Sequence, residues 1–361
     1  MTRILILVNI LISLALIPAY LAPYADPGKS SILAFWGLAY PIILFINLLF
    51  LLFWLVLWKR YFLISLIFIL IGWNYFQKHF NVNLGTQEET VGKGIKIISY
   101  NVQNLAKNNL HIQDKEHRME IFRFLLSESP DILCMQEFYY YGKDTVPLLN
   151  DLKDQLHLHY ISRKNYYPWH HKIHALVTLS AYPILESGYL TGEKERVFAL
   201  FSDLLIGKDT VRLYNVHLES IRFGEEDFRF VSELTKQAPE NTELREGSRS
   251  IFDKLGQAFA RRAFQARKLS EHIRQSRYPV IVCGDFNDTP GSFSYNKVAG
   301  ELTDAFCETG RGYGNTYGGN LPPIRIDYIL LDPEFDIQSF KVHKVIDLSD
   351  HFPVSAIISL P

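Results

Sequence analysis

The chain is 361 residues long, 48% hydrophobic and 21% charged, with 37 lysines and arginines against 38 aspartates and glutamates. That length accommodates one large domain with an appendage, and a formal charge of −1 excludes a strongly basic nucleic-acid surface as the organising feature. Three cysteines, Cys134, Cys283 and Cys307, with no C-x-x-C pair, exclude a disulfide framework and a thiolate zinc site.

The first 80 residues are the least soluble part. Ile4 to Ala22 carries only Asn9, Ser13 and Tyr20 as polar side chains, while 32–58 and 61–76 carry no charge. Each stretch approaches or exceeds the roughly 20 apolar residues that cross a bilayer, so residues 1–80 are predicted to be a membrane anchor of three transmembrane helices. Arg3 before an apolar run also fits a cleavable signal peptide, but two further spans behind it favour an uncleaved helix. Lys59-Arg60 and Arg3 belong on the cytoplasmic side. Three spans then place the rest of the chain on the extracytoplasmic side of the cell membrane. Trp54, Trp58, Tyr61, Trp73 and Tyr75 fall near predicted ends, where amphipathic rings settle at the interface.

Residues 81–94 are polar and glycine-containing and read as a linker. From 95 to 361 short apolar runs alternate with turn residues: "IKIISYNV", "DILCMQEF", "ALVTLSAYPI", "FALFSDLLI", "TVRLYNVHL", "PVIVCGDF", "IDYILLD" and "SAIISL". Helix-period stretches cover Lys115 to Ser129 and Ser248 to Gln275. So many strands with few helices between them predict an α/β domain of two sheets flanked by helices. Arg222 to Glu246 reads as a charged surface excursion or a lid. The following helix carries Lys254, Arg261, Arg262, Arg267, Lys268, Arg274 and Arg277, which make either a solvated face or a phosphate-attracting one.

Several of these runs end on a polar residue suited to metals and phosphates. Asn101 closes "IISYN", Glu137 closes "CMQE", Asn215 and His217 share a face in "YNVHL", and Asp285 and Asn287 are two apart in "GDFN". Asp327 opens "DYILL", and Asp350-His351 precedes "FPVSAII". One such ending is turn chemistry; six are not. Hard cations take carboxylate oxygens, which Glu137 and Asp350 can supply. Asp285 can position or deprotonate a water, His217 and His351 can donate to a phosphate, and Asp327 can orient a histidine. Metal-assisted phosphoester cleavage is the chemistry this set fits.

Taken in order, "SYNVQNL", "MQE", "NVHLES", "GDFNDTP", "RIDYILL" and "SDHFPV" resemble the motifs of the endonuclease/exonuclease/phosphatase superfamily of magnesium-dependent phosphoesterases. The likeness runs from about Ile95 to Leu360 and leaves out the membrane segment. It implies a four-layered α/β sandwich of two mixed sheets, with Mg2+ as cofactor and Mn2+ as its substitute. By resemblance Asn101 and Glu137 form the metal-site pair with Asp350 nearby. His217 is the phosphate-side histidine, Asp285 the catalytic aspartate with Asn287 as its companion, and Asp327 pairs with His351. One departure stands out: many relatives carry Ser-Arg before Tyr-Pro, whereas Ser180 is followed here by Ala181. "RGYGNTYGG" at 311–319 resembles what small bacterial members carry there.

The superfamily divides by substrate, so the resemblance leaves that open. An anchored enzyme outside the cytoplasm does not repair chromosomal DNA. A nuclease-like activity on DNA or RNA is the favoured expectation. A sphingomyelinase or phospholipase C-like activity on a lipid headgroup, or an inositol-phosphate phosphatase, is the alternative. Aromatic clusters at Phe138 to Tyr141 and in "NYYPWHH" at 165–171 can stack bases or line a headgroup pocket, or simply pack the core. An inactive membrane-bound binding module is a further alternative, which the intact set of acids and histidines opposes.

Overall fold

The computed structural model describes residues 2–83, 94–105, 115–141, 145–166, 172–221, 241–319, 322–344 and 348–360, with Phe223, Gly224, Glu226, Asp227 and Phe230 between. Most of the 81–94 linker, most of the 222–246 excursion and the part of "NYYPWHH" after Tyr166 lie outside the described residues.

The N-terminal segment, expected to be an anchor and so called below, comprises α1 (Thr2–Leu14), α2 (Leu16–Leu21), α3 (Ile32–Val56), α4 (Phe62–Ile71) and α5 (Trp73–Gln77). Two segments, Thr2–Tyr24 and Ile32–Val56, are long and apolar enough to cross a membrane. The expected third span is shorter: α4 has 10 residues and stops at Gly72, which separates it from α5. At ~1.5 Å per residue α4 is about 15 Å long, half a bilayer core. The hydropathy of 61–76 is that of a span, but the helix is broken within it.

The anchor has an inverted interior. Asn9 donates to Ser65 Oγ at 2.7 Å and accepts from Trp54 Nε1 at 3.1 Å, and Ser13 donates to Asn47 Oδ1 at 2.8 Å. Leu7, Leu11, Ile42, Phe45, Leu52, Val56 and Ile71 point outward and are exposed. Polar contacts between helices with an apolar exterior are how helices associate in lipid. Trp54 and Tyr75, expected at the interface, are buried instead.

Beyond the anchor the strands are β1 (Phe80–Asn81), β2 (Ile95–Asn101), β3 (Ile132–Tyr141), β4 (Tyr160–Asn165), β5 (Lys172–Ser180), β6 (Ile184–Thr191), β7 (Val197–Ile206), β8 (Asp209–His217), β9 (Val280–Asp285), β10 (Thr303–Asp304), β11 (Gly312–Tyr313), β12 (Asp327–Leu331), β13 (Asp336–Val342) and β14 (Val354–Ser359). They form two six-stranded mixed sheets, ordered β13-β14-β2-β3-β5-β4 and β10-β12-β9-β8-β7-β6. Each has one parallel pair at its centre, β2 with β3 and β8 with β9, and antiparallel neighbours elsewhere. β1 pairs with β11, so the start of the expected linker is already tied to the domain.

Alternation along each strand sends one side chain in two to the space between the sheets. Ile97, Cys134, Leu213, Ile281, Cys283, Ile329 and Ala356 pack there in one core. The opposite faces are covered by helices, making four layers. α6 (Lys115–Glu128) and α7 (Thr145–Gln155) cover the first sheet, with Phe122, Leu125, Leu149 and Leu152 against Ile98, Tyr100 and Leu133. α8 (Asn241–Arg274) and α9 (Phe293–Ala299) cover the second, with Ala266, Leu269 and Val298 against Tyr214, Val282 and Leu330.

The basic residues of α8 are mostly on a solvated face and engaged in ion pairs, with Arg262 the buried exception. Arg262 is buried against Asp288, Lys254 meets Asp227, Arg267 meets Asp26 of the anchor and Arg274 meets Glu271. Apart from Glu271, one helical turn before Arg274, the partners lie outside the helix, where a helix-period reading cannot see them.

Candidate active site

The parallel pairs run in the direction that brings their carboxyl ends to one edge, and β12 and β14 begin there. Cα pairings place His217 opposite Asp285 and Asp285 opposite Asp327 in the second sheet, and Asn101 opposite Gln136 in the first. Asn101, His217, Asp285 and Asp327 continue the inward-facing alternation of Ile97, Leu213, Cys283 and Ile329. The last inward position of each strand is therefore polar and opens into the cleft between the sheets.

Glu137 reaches the cleft differently. Gln136 occupies the inward position on β3, buried and donating to Asn215 Oδ1 at 2.8 Å and Ser99 Oγ at 3.1 Å. A register break between Met135 and Phe138, with Glu137 at φ 52°, turns the next side chain as well. Such a backbone is unfavourable for a non-glycine residue and bulges of this kind re-aim side chains beside active sites. Glu137 N donates to Tyr166 Oη at 2.9 Å, which fixes the bulge.

Asp285 is caged. Its Oδ1 accepts from Asn287 N at 2.7 Å, and its Oδ2 accepts from Asn101 Nδ2 and Asn287 Nδ2, each at 3.0 Å. Asn287 does not sit two along a strand, as alternation suggested; β9 ends at Asp285 and Asn287 turns back at φ 51°. Gly284 makes the approach possible. At φ 143° its missing Cβ would lie 2.0 Å from Val216 O on β8.

His351 Nδ1 lies 3.0 Å from Asp327 Oδ2, leaving Nε2 turned toward Asp285 Oδ2 at 3.7 Å. Asp327 N is itself held by Thr316 Oγ1 at 3.0 Å. His217 Nε2 is 3.3 Å from Glu137 Oε1 and 3.6 Å from Asp285 Oδ2, yet neither ring nitrogen makes a hydrogen bond within the described residues. Asp350 N donates to Gln103 Oε1 at 3.1 Å, and Ser349 Oγ donates to Asn101 O at 2.8 Å.

Burial sets the protonation of these groups. It raises the Asp285 carboxyl to about 7, with Asp327 adding to the rise and His351 opposing it. It raises Glu137 and Asp350 too. It lowers His217 well below the usual histidine value, with Arg196 and His351 adding to the effect. At His351 burial is outweighed by Asp327, Asp285 and Asp350, so its pKa stands well above the ordinary value. The edge thus holds a near-neutral carboxyl, a charged imidazolium and an uncharged imidazole together.

The eight residues singled out from the sequence all lie at this one edge. Asp285, Asp327 and His351 bring ligand-type atoms within 4.8 Å of one another, but they are engaged with each other by the contacts above. Glu137 and Asp350, by contrast, are carboxyls whose burial disfavours their charge, and Asp350 pushes Glu137 up further. With Asn101 beside Glu137 this is a hard-oxygen donor set, and a divalent cation would relieve that repulsion. The residues fit a metal.

Sequence reasoning missed Gln103, Tyr166, Thr316 and Ser349 as supports of the site. They lie within the quoted motifs but act on backbone groups, which any residue has, so their role is not visible in the sequence. Of the aromatic clusters, Phe138, Tyr139 and Tyr166 are buried, while the side chains of Tyr140 and Tyr141 and residues 167–171 lie outside the described residues. Asn215, noted as His217's neighbour, ties the sheets instead, donating to Val177 O at 2.9 Å.

A family model described as Endonuclease/Exonuclease/phosphatase family matches residues 98–351, and a second, a domain of unknown function, matches residues 2–79. No curated protein matches the chain. Among solved structures, an endonuclease/exonuclease/phosphatase family protein from Bacteroides thetaiotaomicron aligns at TM-score 0.53 and 17% identity, over 74% of this chain and 98% of that one. The human nocturnin catalytic domain with bound sulfate aligns at TM-score 0.51 and 19% identity, over 74% of this chain and 95% of that one. A mannosyl-6-phosphatase from Bacteroides thetaiotaomicron aligns at TM-score 0.51 and 17% identity, over 74% of this chain and all (100%) of that one. At these identities the likeness is one of fold.

Proposed function

Because the chain belongs to the endonuclease/exonuclease/phosphatase family of phosphoesterase-type hydrolases, we propose that it is a membrane-anchored, Mg2+-dependent phosphodiesterase in which Asp285 activates the attacking water. The observation that carries this reading is the caged Asp285 facing the His351–Asp327 pair across one cleft.

Asn101 and Asn287 hold both oxygens of Asp285 in place, and a carboxyl near 7 can take a proton from water at neutral pH. Phosphorus gains the water oxygen and loses the ester oxygen. His351, charged and oriented by Asp327, donates from Nε2 to the phosphoryl or leaving oxygen as negative charge builds there. His217, whose ring nitrogens make no hydrogen bond among the described residues and whose Nε2 lies 3.6 Å from Asp285 Oδ2, supplies a second hydrogen bond. Glu137, Asp350 and Asn101 would hold Mg2+, for which Mn2+ can substitute. When bound, the ion supplies charge stabilisation to the phosphoryl oxygens.

The anchor argues for the location. Pro23, Asp26, Gly37, Tyr75 and Lys78, which contact the catalytic domain, lie at one end of the helices. Arg3 and Lys59-Arg60 lie at the other. With the positive-inside rule, this arrangement supports a catalytic domain outside the cytoplasm. Phe138, Tyr139 and Tyr166 are buried and so do not themselves offer a base-stacking face. A lipid headgroup is the reading favoured by the anchor, which packs against the loop following Asn287.

The test is hydrolysis by the full chain in detergent micelles, with Mg2+ and with EDTA, of bis(p-nitrophenyl) phosphate, DNA, RNA, sphingomyelin and inositol phosphates. Metal-dependent turnover that Asp285→Asn abolishes is expected. Turnover indifferent to EDTA, or unchanged in a folded Asp285→Asn variant, refutes the mechanism.

A further inference from the structure

The loop carrying Asn287 does not belong to the catalytic domain alone. Tyr75, at the end of the anchor, donates its hydroxyl to Gly291 O at 3.1 Å, and a Cβ built on Gly37 of α3 would lie 2.7 Å from the same oxygen. A Cβ on Gly291 would in turn lie 2.1 Å from Tyr75 Oη and 3.1 Å from Gly37 O. The two glycines let the backbones of anchor and loop meet directly. Four residues reach at most ~14 Å, so this contact sits close to Asn287 along the chain.

The loop is held from both sides. The catalytic domain grips Asp288, whose carboxylate meets Arg262 Nε at 3.1 Å and whose carbonyl accepts from Tyr328 Oη at 2.8 Å. The anchor grips Gly291. Asn296, just beyond, donates to Pro23 O at 3.2 Å, and Arg267 pairs with Asp26 at 2.6 Å. A flexible tether needs none of these bonds, and two modules merely resting on each other would not put a buried tyrosine hydroxyl on a loop carbonyl.

We propose that the anchor is a wall of the active site and that Tyr75 is a positioning residue. By holding Gly291 it fixes the turn in which Asn287 reaches back to both oxygens of Asp285. The proposal rests on the reading of Asp285 given above. It makes catalysis depend on the membrane segment even for a small, soluble substrate that has no need of a membrane.

The experiment uses the full chain in micelles with Mg2+ and bis(p-nitrophenyl) phosphate, measuring kcat, KM and Tm for Tyr75→Phe, Gly291→Ala and the double variant. Tyr75→Phe, which removes one oxygen, is expected to lower kcat about tenfold with KM within about twofold, since small misplacements of catalytic groups are costly. Gly291→Ala is expected to lower it further, by about 100-fold. The double variant recovers part of that loss, because the atom at 2.1 Å is gone and the next, Tyr75 Cζ, is at 3.0 Å. Packing alone would move Tm and leave kcat intact. Two folded single variants with kcat within about twofold of the parent, or a double variant that regains Tm but not kcat, overturn the proposal. If Gly291→Ala does not fold, Tyr75→Phe alone decides. An active Asp285→Asn control removes the underlying reading and the proposal with it, whereas an inactive control with unaffected Tyr75→Phe overturns only the proposal.

Discussion

Replacing Asp327 by asparagine keeps the size of the side chain and removes the charge 3.0 Å from His351 Nδ1. Both groups are buried, with 3% and 6% of their side chains exposed, so water does little to screen them. At an effective dielectric of ~20, charges ~4 Å apart interact by about 4 kcal/mol, which caps the loss at about 3 pKa units. Asp285, 3.7 Å from Nε2, remains and keeps part of the elevation. The pKa of His351 should therefore fall by about 1–2 units, moving the alkaline limb of the kcat profile down by that amount. The introduced carboxamide can also donate to Nδ1 and so select the wrong tautomer, taking the total loss in kcat to about 100- to 1,000-fold. The assay is bis(p-nitrophenyl) phosphate hydrolysis by the full chain across pH at saturating Mg2+, with Tm as a fold control. A folded variant whose alkaline limb stays in place and whose kcat drops less than about threefold would refute the assigned role of His351.

Gly284→Ala places a Cβ 2.0 Å from Val216 O at a φ of 143°, so the parallel β8–β9 pair must open. A loss of about 3 kcal/mol or more in chemical denaturation is expected, and a parent-like Tm would contradict the register. His343, held by Ser355 Oγ at 2.9 Å and facing Glu128 at 3.4 Å, is pushed down to about 4 by burial. Its folded pKa lies below the unfolded value of about 6.5, so the unfolded chain binds the extra proton between them. Tm should fall as pH drops through that window, and His343→Gln should flatten the fall. In the anchor, Asn9→Ala removes the bonds to Ser65 and Trp54. A cost of about 1–2 kcal/mol in detergent-titration unfolding is expected, and none at all would argue against the polar seam.

Asn101, His217, Asp285 and Asp327 were legible because each is the inward residue at the site end of an apolar strand, and strand alternation is visible in a sequence. Glu137 was legible only by its motif, since alternation alone would have chosen Gln136; the bulge that turns it depends on Tyr166, 29 residues away. Asn287 was placed on a strand it does not occupy, because the turn after Asp285 is stabilised by Asp285 itself. The break at Gly72 was invisible to hydropathy, which counts apolar residues and not helical continuity. The tie between β1 and β11 joins Phe80 to Tyr313 across more than half of the chain, and two strands of 2 residues each carry no pattern that announces a partner.

The order of strands also sets an order in time. The second sheet is built wholly from residues 184–331, whereas the first takes β2 to β5 before it and β13 and β14 after it. β14 closes beside β2, pairing Val354 with Ser99 across the residues that build the other sheet. Asp350 and His351 arrive with that last strand. A chain refolding from denaturant should thus regain secondary structure well before it regains turnover, since closing so long a loop is slow. Turnover should therefore return only when that last strand is in place.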